Sequence, residues 1–411
     1  MDETWARVAG RIEGYTDELV RLQTELVSVP ALGPDNGGGG ELDKALVLAK
    51  WIGVLGPEEM FRVDAPDGRA AAGVRPNLVA VFQGRGRGRA WVLSHLDIVP
   101  PGDPGLWDSD PFVLRREDDR LYGRGAEDNH QGIVASYLAV KALREEAVVP
   151  DLDVGLIFVA DEETGSKYGL DYLLEKRADL FSPGDLIIVP DGGREDGAMI
   201  EVAEKSMCWL KFTVLGRQCH ASTPHKGANT LRAAARLITA LDQALPAAFA
   251  AEDPLFTIPR STFEPTKKEA NVPNVNTIPG SDVFYFDARV LPVYRIEAVE
   301  AKAAEVAAEV AAGAGVSVRV ERVYQVQAPP ATPADSPVVR CLARAVAAVH
   351  HREALPHGLG GGTVAAFFRR KGLPAAVWST IDGTAHSPNE YGRISYQLAD
   401  AKVMAHVFLG R

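Results

Sequence analysis

The residues best suited to chemistry are acids and histidines at the ends of short apolar runs. His95 and Asp97 follow the run 90–93, and Asp161, Glu162 and Glu163 follow 153–160. Asp191 closes the run 185–189 ahead of two glycines, and His386 lies a few residues beyond 375–379. A glycine-punctuated stretch, 121–132, carries Asp128. Singly, each has an ordinary reading: a surface pair for His95 and Asp97, a helix start for the acid triplet, a turn for Asp191, an exposed side chain for His386. Jointly, imidazoles and carboxylates on one rim suit a divalent ion, zinc first, with cobalt or manganese also fitting. Residues i and i+2 of an extended chain face the same side, so the Asp97 carboxylate is placed to accept from one ring nitrogen of His95 while the other binds metal. Asp128, Glu163 and Asp191 supply three negative charges against the four positive charges of two divalent ions. A two-ion site needs a bridging carboxylate, for which Asp128 is the candidate; a mononuclear site is the alternative. Of the adjacent glutamates, Glu163 would bind metal. Glu162 would take a proton from water and deliver it to a leaving nitrogen.

The elements that must position these residues alternate. Helical periodicity runs through Trp5, Val8, Ile12, Leu19 and Leu26, then 41–55 and 133–143, between strand-like runs at 77–82, 90–93, 153–160 and 185–189. That pattern predicts an α/β sheet, partly parallel, with ligands beyond the carboxyl ends of its strands. From 204 to 329 the pattern changes. Strands are expected at 209–215, 283–290 and 316–323, and helices at 229–245 and 296–312, a split β-α-β order. After the prolines at 329, 330, 333 and 337, helix–strand alternation resumes, with helices at 337–350 and 394–408 and a strand at 375–379. The expectation is a discontinuous α/β catalytic domain, 1–203 and 330–411, interrupted by an inserted α+β domain, 204–329.

With 411 residues, 46% apolar and 24% charged, the chain has the balance of a globular protein. A net charge of −11 argues against nucleic acid or an anionic membrane as partner. The cysteines, Cys208, Cys219 and Cys341, are too scattered for a disulfide framework and fit a reducing compartment. The first twenty residues are acidic and amphipathic and the apolar runs are short, so the expectation is a cytoplasmic protein without a membrane span. Gly84-Arg-Gly-Arg-Gly88 lacks dinucleotide-loop spacing and reads as a basic turn.

In SHLDIVP, LYGRGAED, DEETGS, VPDGG, GRQCHASTP, NVNTIPG, FDARVLP and TAHSPNEY, taken in order along nearly the whole chain, the sequence resembles the M20 family of metallopeptidases and amidohydrolases. That family includes acetylornithine deacetylases, succinyl-diaminopimelate desuccinylases, glutamate-releasing carboxypeptidases and dipeptidases. The resemblance implies a zinc-hydrolase-type α/β domain with an inserted ferredoxin-like lid that serves dimerisation, hence a homodimer. It implies two metal ions, one held by His95, Asp128 and Asp191, the other by Asp128, Glu163 and His386, with Asp97 orienting His95 and Glu162 as general base. It makes His220 the stabiliser of the tetrahedral intermediate, in some members reaching the partner subunit's site. Asn276, Arg289 and the glycines Gly361 and Gly362 are implied to contact substrate. Arg289 would grip a substrate carboxylate, although a structural ion pair with Asp287 is the competing role. The substrate class is a short peptide or an N-acyl amino acid; a non-catalytic binding member of the same fold is the alternative. Two departures stand out: Asp128-Asn-His-Gln-Gly132 is one residue longer than the family's Asp-x-Lys-Gly and lacks its lysine, and Val364 stands where an acid commonly follows the glycine–threonine pair.

Overall fold

Continuous apolar runs make strands that are covered on both faces. The computed structural model describes residues 3–410. The chain divides into two compact units, residues 1–202, 332–356 and 363–411 in the first and 203–331 with 357–362 in the second. In the first, the strands Asp153–Val159, Arg89–His95, Leu186–Gly193 and Ala375–Ser379 lie side by side and parallel. They form the centre of an eight-stranded sheet whose outer strands, among them Glu59–Arg62 and Met199–Glu204, pair antiparallel. Four parallel strands end at one edge, which is where their ligand-bearing loops begin.

One face of this sheet is a core of Val79, Trp91, Ile157, Val189, Leu173, Phe368 and their neighbours. Trp91 lies across Gly155 so closely that a Cβ there would stand 1.9 Å from the indole, which is why the strand carries a glycine mid-span. The helices His130–Glu145 and Ile394–Phe408 are buried along much of their length. Gly132 lets the first of them begin against Pro190 and Ser94, where a Cβ would come within 2.6 Å of the Pro190 ring. No helix among the described residues is long and apolar enough to cross a membrane.

The second unit runs β-α-β-β-α-β: Ser206–Leu215, Thr230–Ala248, Thr262–Lys268, Ser281–Val290, Ile296–Ala314 and Ser317–Val326. Its strands form one antiparallel sheet with Thr262–Lys268 and Ser317–Val326 at the edges. Alternate residues of Ser206–Leu215 and Ser281–Val290 point into a core where Phe212 stacks on Phe284 at 4.9 Å and both helices pack. This is the inserted α+β domain of ferredoxin-like order. Thr262–Lys268 was not among the expected strands: it carries Pro265, which a sheet tolerates only at its edge, and two lysines that guard that edge against pairing.

Candidate metal centre

His95 ends its strand with the side chain buried. Its Nδ1 donates to the backbone carbonyl of Asp97 at 2.9 Å, which orients the ring and leaves Nε2 facing the acids. The sequence expectation put the Asp97 carboxylate on that nitrogen. It stands 3.6 Å away, because its two oxygens accept the backbone N–H groups of Glu162 and Glu163, each at 3.0 Å. Asp97 therefore orients His95 through its main chain and holds the glutamate pair through its side chain. The preceding Asp161 adopts a left-handed conformation, φ 63°, and starts the 3-10 turn Glu162–Thr164.

Asp128 lies between two imidazoles. One oxygen is 2.8 Å from His95 Nε2 and the other 3.1 Å from His386 Nε2. Asp191 approaches His95 Nε2 at 3.4 Å, and Glu163 approaches His386 Nε2 at 3.1 Å. Ligand atoms of His95, Glu162 and Asp191, and those of His95, Asp128 and Glu163, lie within 4.8 Å of one another. The structure thus gathers His95, Asp128, Glu162, Glu163, Asp191 and His386 at one rim. A small ladder brings the two most distant parts together: Arg120–Tyr122 pairs with Tyr391–Arg393, and Gly123 N–H donates to the Glu390 carbonyl at 3.0 Å.

The charge balance of this cluster calls for cations. Burial works against ionising Asp128, yet hydrogen bonds from His386 and His95 hold its carboxyl well below the usual range. Burial pushes Asp191 up to about 6, with Asp128 and Glu163 adding to the push and His95 opposing it. Burial, then the charge on Asp191, raises Glu162 well above an ordinary glutamate, the direction suited to a group that must accept a proton near neutral pH. The hydrogen bonds it donates to Asp128 and Glu163 raise His386 to about 10. Imidazoles this basic are acting as the counter-charge that bound cations would otherwise supply.

Sequence reading missed the groups behind this shell. The Asn129 side-chain amide donates to the Pro190 carbonyl at 2.6 Å and to Asp191 at 3.0 Å. Arg75, fully buried, pairs with Glu41 and stands 3.4 Å from Asp161. Glu390 accepts the N–H groups of Glu127 and Asp128 at 3.0 Å each, and Glu127 accepts from the loop before His386. His130 is no part of the cluster's acids: its Nε2 receives the Lys44 ammonium nitrogen at 2.7 Å inside the core. These residues carry no periodic signal, since each acts through contacts with residues far away in the chain.

The second unit holds the remaining expected residues. His220 lies in a short ladder, Cys219–His220 with Thr277–Ile278, and Asn276 precedes its second strand, with its carbonyl accepting from Ala221 N–H at 2.9 Å. The His220 Nδ1 accepts the Ser222 backbone N–H at 3.1 Å, so a neutral ring carries its proton on Nε2. Arg289 spends Nε and Nη2 on Asp287, at 2.6 and 3.1 Å, and Nη1 on the Gly360 carbonyl at 3.2 Å. Gly361 lies beside that guanidinium, and Gly362 faces Met207 and Glu204.

Comparison with known proteins agrees with this fold. The chain is 38% identical to an uncharacterized metallohydrolase of Methanococcus maripaludis, covering 95% of this chain and 99% of the relative. It is 31% identical to a succinyl-diaminopimelate desuccinylase of Cereibacter sphaeroides over 90% of this chain and 93% of that one. In fold it is similar to an aminopeptidase from Bacillus cereus, with TM-score 0.76, 21% identity and coverage of 96% and 99%. It is also similar to human carnosine dipeptidase 1, with TM-score 0.74, 20% identity and coverage of 99% and 98%. The profile of Peptidase family M20/M25/M40 matches residues 91–409. With the family profile spanning most of the chain and acids and imidazoles gathered at the sheet's carboxyl edge, this chain belongs to peptidase family M20/M25/M40 and is a metallohydrolase.

Proposed function

We propose that this metallohydrolase uses two divalent ions to cleave the amide bond of a short peptide or an N-acyl amino acid, with Glu162 handling the proton. The observation that carries the reading is Asp128, whose two oxygens face two different imidazoles, His95 and His386. His95, Asp128 and Asp191 would hold a first ion, and Asp128, Glu163 and His386 a second. The fixed Nδ1–H of His95 leaves Nε2 as the donor atom, and the mixed imidazole–carboxylate set suits zinc. Bound there, such ions polarise a carbonyl group and lower the pKa of water.

The chain's own groups do the rest. Glu162 stands within reach of His95 and Asp191 and accepts a proton from the attacking water, then delivers it to the leaving nitrogen. Asp97 keeps Glu162 and Glu163 in register through their N–H groups. His220, with its proton on Nε2, is the donor for a developing oxyanion. Arg289, oriented by Asp287, presents its remaining N–H edge to a substrate carboxylate, and Asn276, Gly361 and Gly362 complete the substrate contacts. The relative named succinyl-diaminopimelate desuccinylase is in line with this class. Dimerisation through the second unit and a cytoplasmic location belong to the same proposal; sedimentation and cell fractionation test them.

The decisive experiment is release of free amine from a panel of dipeptides and N-acetyl, N-succinyl and N-carbamoyl amino acids. Turnover should vanish on exhaustive chelation and return with zinc or cobalt. Turnover that persists in demetallated protein, or no release across the panel by fully metallated protein, refutes the proposal.

A further inference from the structure

We propose that Glu127 is a positioning residue for the His386 imidazole and so governs how tightly the second ion is held. This deepens the two-ion reading and rests on it. Glu127 is buried, and its carboxylate points along the loop that leads to His386. One oxygen accepts the backbone N–H of Asp382 at 2.9 Å and of Gly383 at 3.1 Å. The other accepts the N–H of Thr384, the Thr384 hydroxyl at 3.1 Å and the N–H of Ala385 at 2.9 Å. Every main-chain donor from 382 to 385 therefore ends on a single carboxylate. The next residue is His386, held in the left-handed region at φ 62°. Such a conformation persists only where its surroundings over-determine it, and the Glu127 carboxylate, which takes four consecutive N–H groups, is the main acceptor beneath this loop, beside the contacts of Asp382 with Arg393 and of Thr384 with Tyr391.

Glu127 is also covalently joined to Asp128. The loop that carries one ligand of the second ion is thus clamped by the neighbour of another. Glu390 returns the contact, accepting the N–H groups of Glu127 and Asp128 while its other oxygen takes the Arg124 guanidinium. The first ion's other ligands are fixed elsewhere, His95 by the Asp97 carbonyl and Asp191 by Asn129. Removing the clamp should therefore weaken one ion selectively. A glutamine at 127 would turn an amide N–H2 toward N–H donors whichever way it sits, because both Glu127 oxygens accept from N–H groups. Aspartate keeps both oxygens on a shorter stem.

The test is zinc titration of the full-length wild type, Glu127→Gln and Glu127→Asp by calorimetry with elemental analysis. The wild type should take up two equivalents. Glu127→Gln should leave the first ion's affinity unchanged and weaken the second about 10- to 100-fold, with Glu127→Asp recovering part of it. Equal weakening of both ions, or of neither, overturns the inference while leaving the two-ion reading intact. A wild type that binds no zinc removes the two-ion reading and this inference with it. Should Glu127→Gln not fold, hydrogen exchange in the wild type decides. Slow exchange of amides 382–385 supports the clamp, and exchange as fast as an unstructured peptide overturns it.

Discussion

Replacing Arg75 by methionine should be among the most damaging single changes in the first unit. The guanidinium is fully buried and donates Nε to Glu41 at 2.7 Å, with Nη1 at 3.4 Å from Asp161 and 3.7 Å from Asp67. Burial pushes Glu41 up even with this partner present. Methionine fills the space but leaves a buried carboxylate without its counter-charge, which costs about 3–5 kcal/mol. A folded domain has about 5–15 kcal/mol in total, so the urea midpoint should fall steeply. Adding Glu41→Gln removes the orphaned charge and should restore most of the lost stability. Activity should not return with it. Asp161 still lacks its cation, and Asp161 opens the turn that carries Glu162. Urea unfolding with steady-state kinetics on the preferred amide substrate measures both effects. A loss below about 1 kcal/mol for Arg75→Met, or a double variant no more stable than the single one, refutes the argument.

Three further outcomes are expected. Glu162→Gln should retain zinc and lose about 10²- to 10⁴-fold in kcat, and near-normal turnover would rule out its role as the base. His220→Ala should lower kcat by about 10²- to 10³-fold with zinc content unchanged, as removal of one oxyanion donor does; a change in KM alone would contradict it. Asp400, buried and hydrogen-bonded by Thr380 and Gln131, is raised by burial to about 7. Its folded pKa lies above the unfolded value, so its contribution to stability is fully present below about 4 and is lost as pH rises through about 7. Asp400→Asn should therefore gain stability relative to the wild type on going from pH 5 to pH 8, and a pH-independent difference in urea midpoint would sink this assignment.

Much of this architecture was legible because buried parallel strands are unbroken apolar runs, and 90–93, 153–160, 185–189 and 375–379 are all such runs. The helices at 337–350 and 394–408 were legible from their apolar periodicity, and the structure has them at Pro337–His350 and Ile394–Phe408. The edge strand Thr262–Lys268 was not, since its proline and lysines erase the alternation that marks a half-buried strand. Nor was the Arg120–Tyr122 pairing with Tyr391–Arg393, three polar-rich residues on each side joined across most of the chain. At the site, residue type and strand-end position singled out the acids and histidines. Spacing predicted which side Asp97 faces relative to His95 but not which of its oxygens meets the ring. Glu127 and Glu390 left no trace, because a carboxylate that ends on main-chain N–H groups needs no partner side chain to betray it. The Arg289–Asp287 pair was foreseeable, since the two residues share a face of one strand.

The ladder between Arg120–Tyr122 and Tyr391–Arg393 has a consequence for how the protein is made. Five of the six gathered residues lie between positions 95 and 191, and the sixth, His386, follows much later in the chain. A nascent chain that has not yet reached His386 holds Asp128, Glu163 and Asp191 without that imidazole beside them and without Glu390 to fasten the Asp128 loop. The cluster is thus short of its second imidazole until the segment carrying His386 has been made and paired with Arg120–Tyr122 through the strand that follows it.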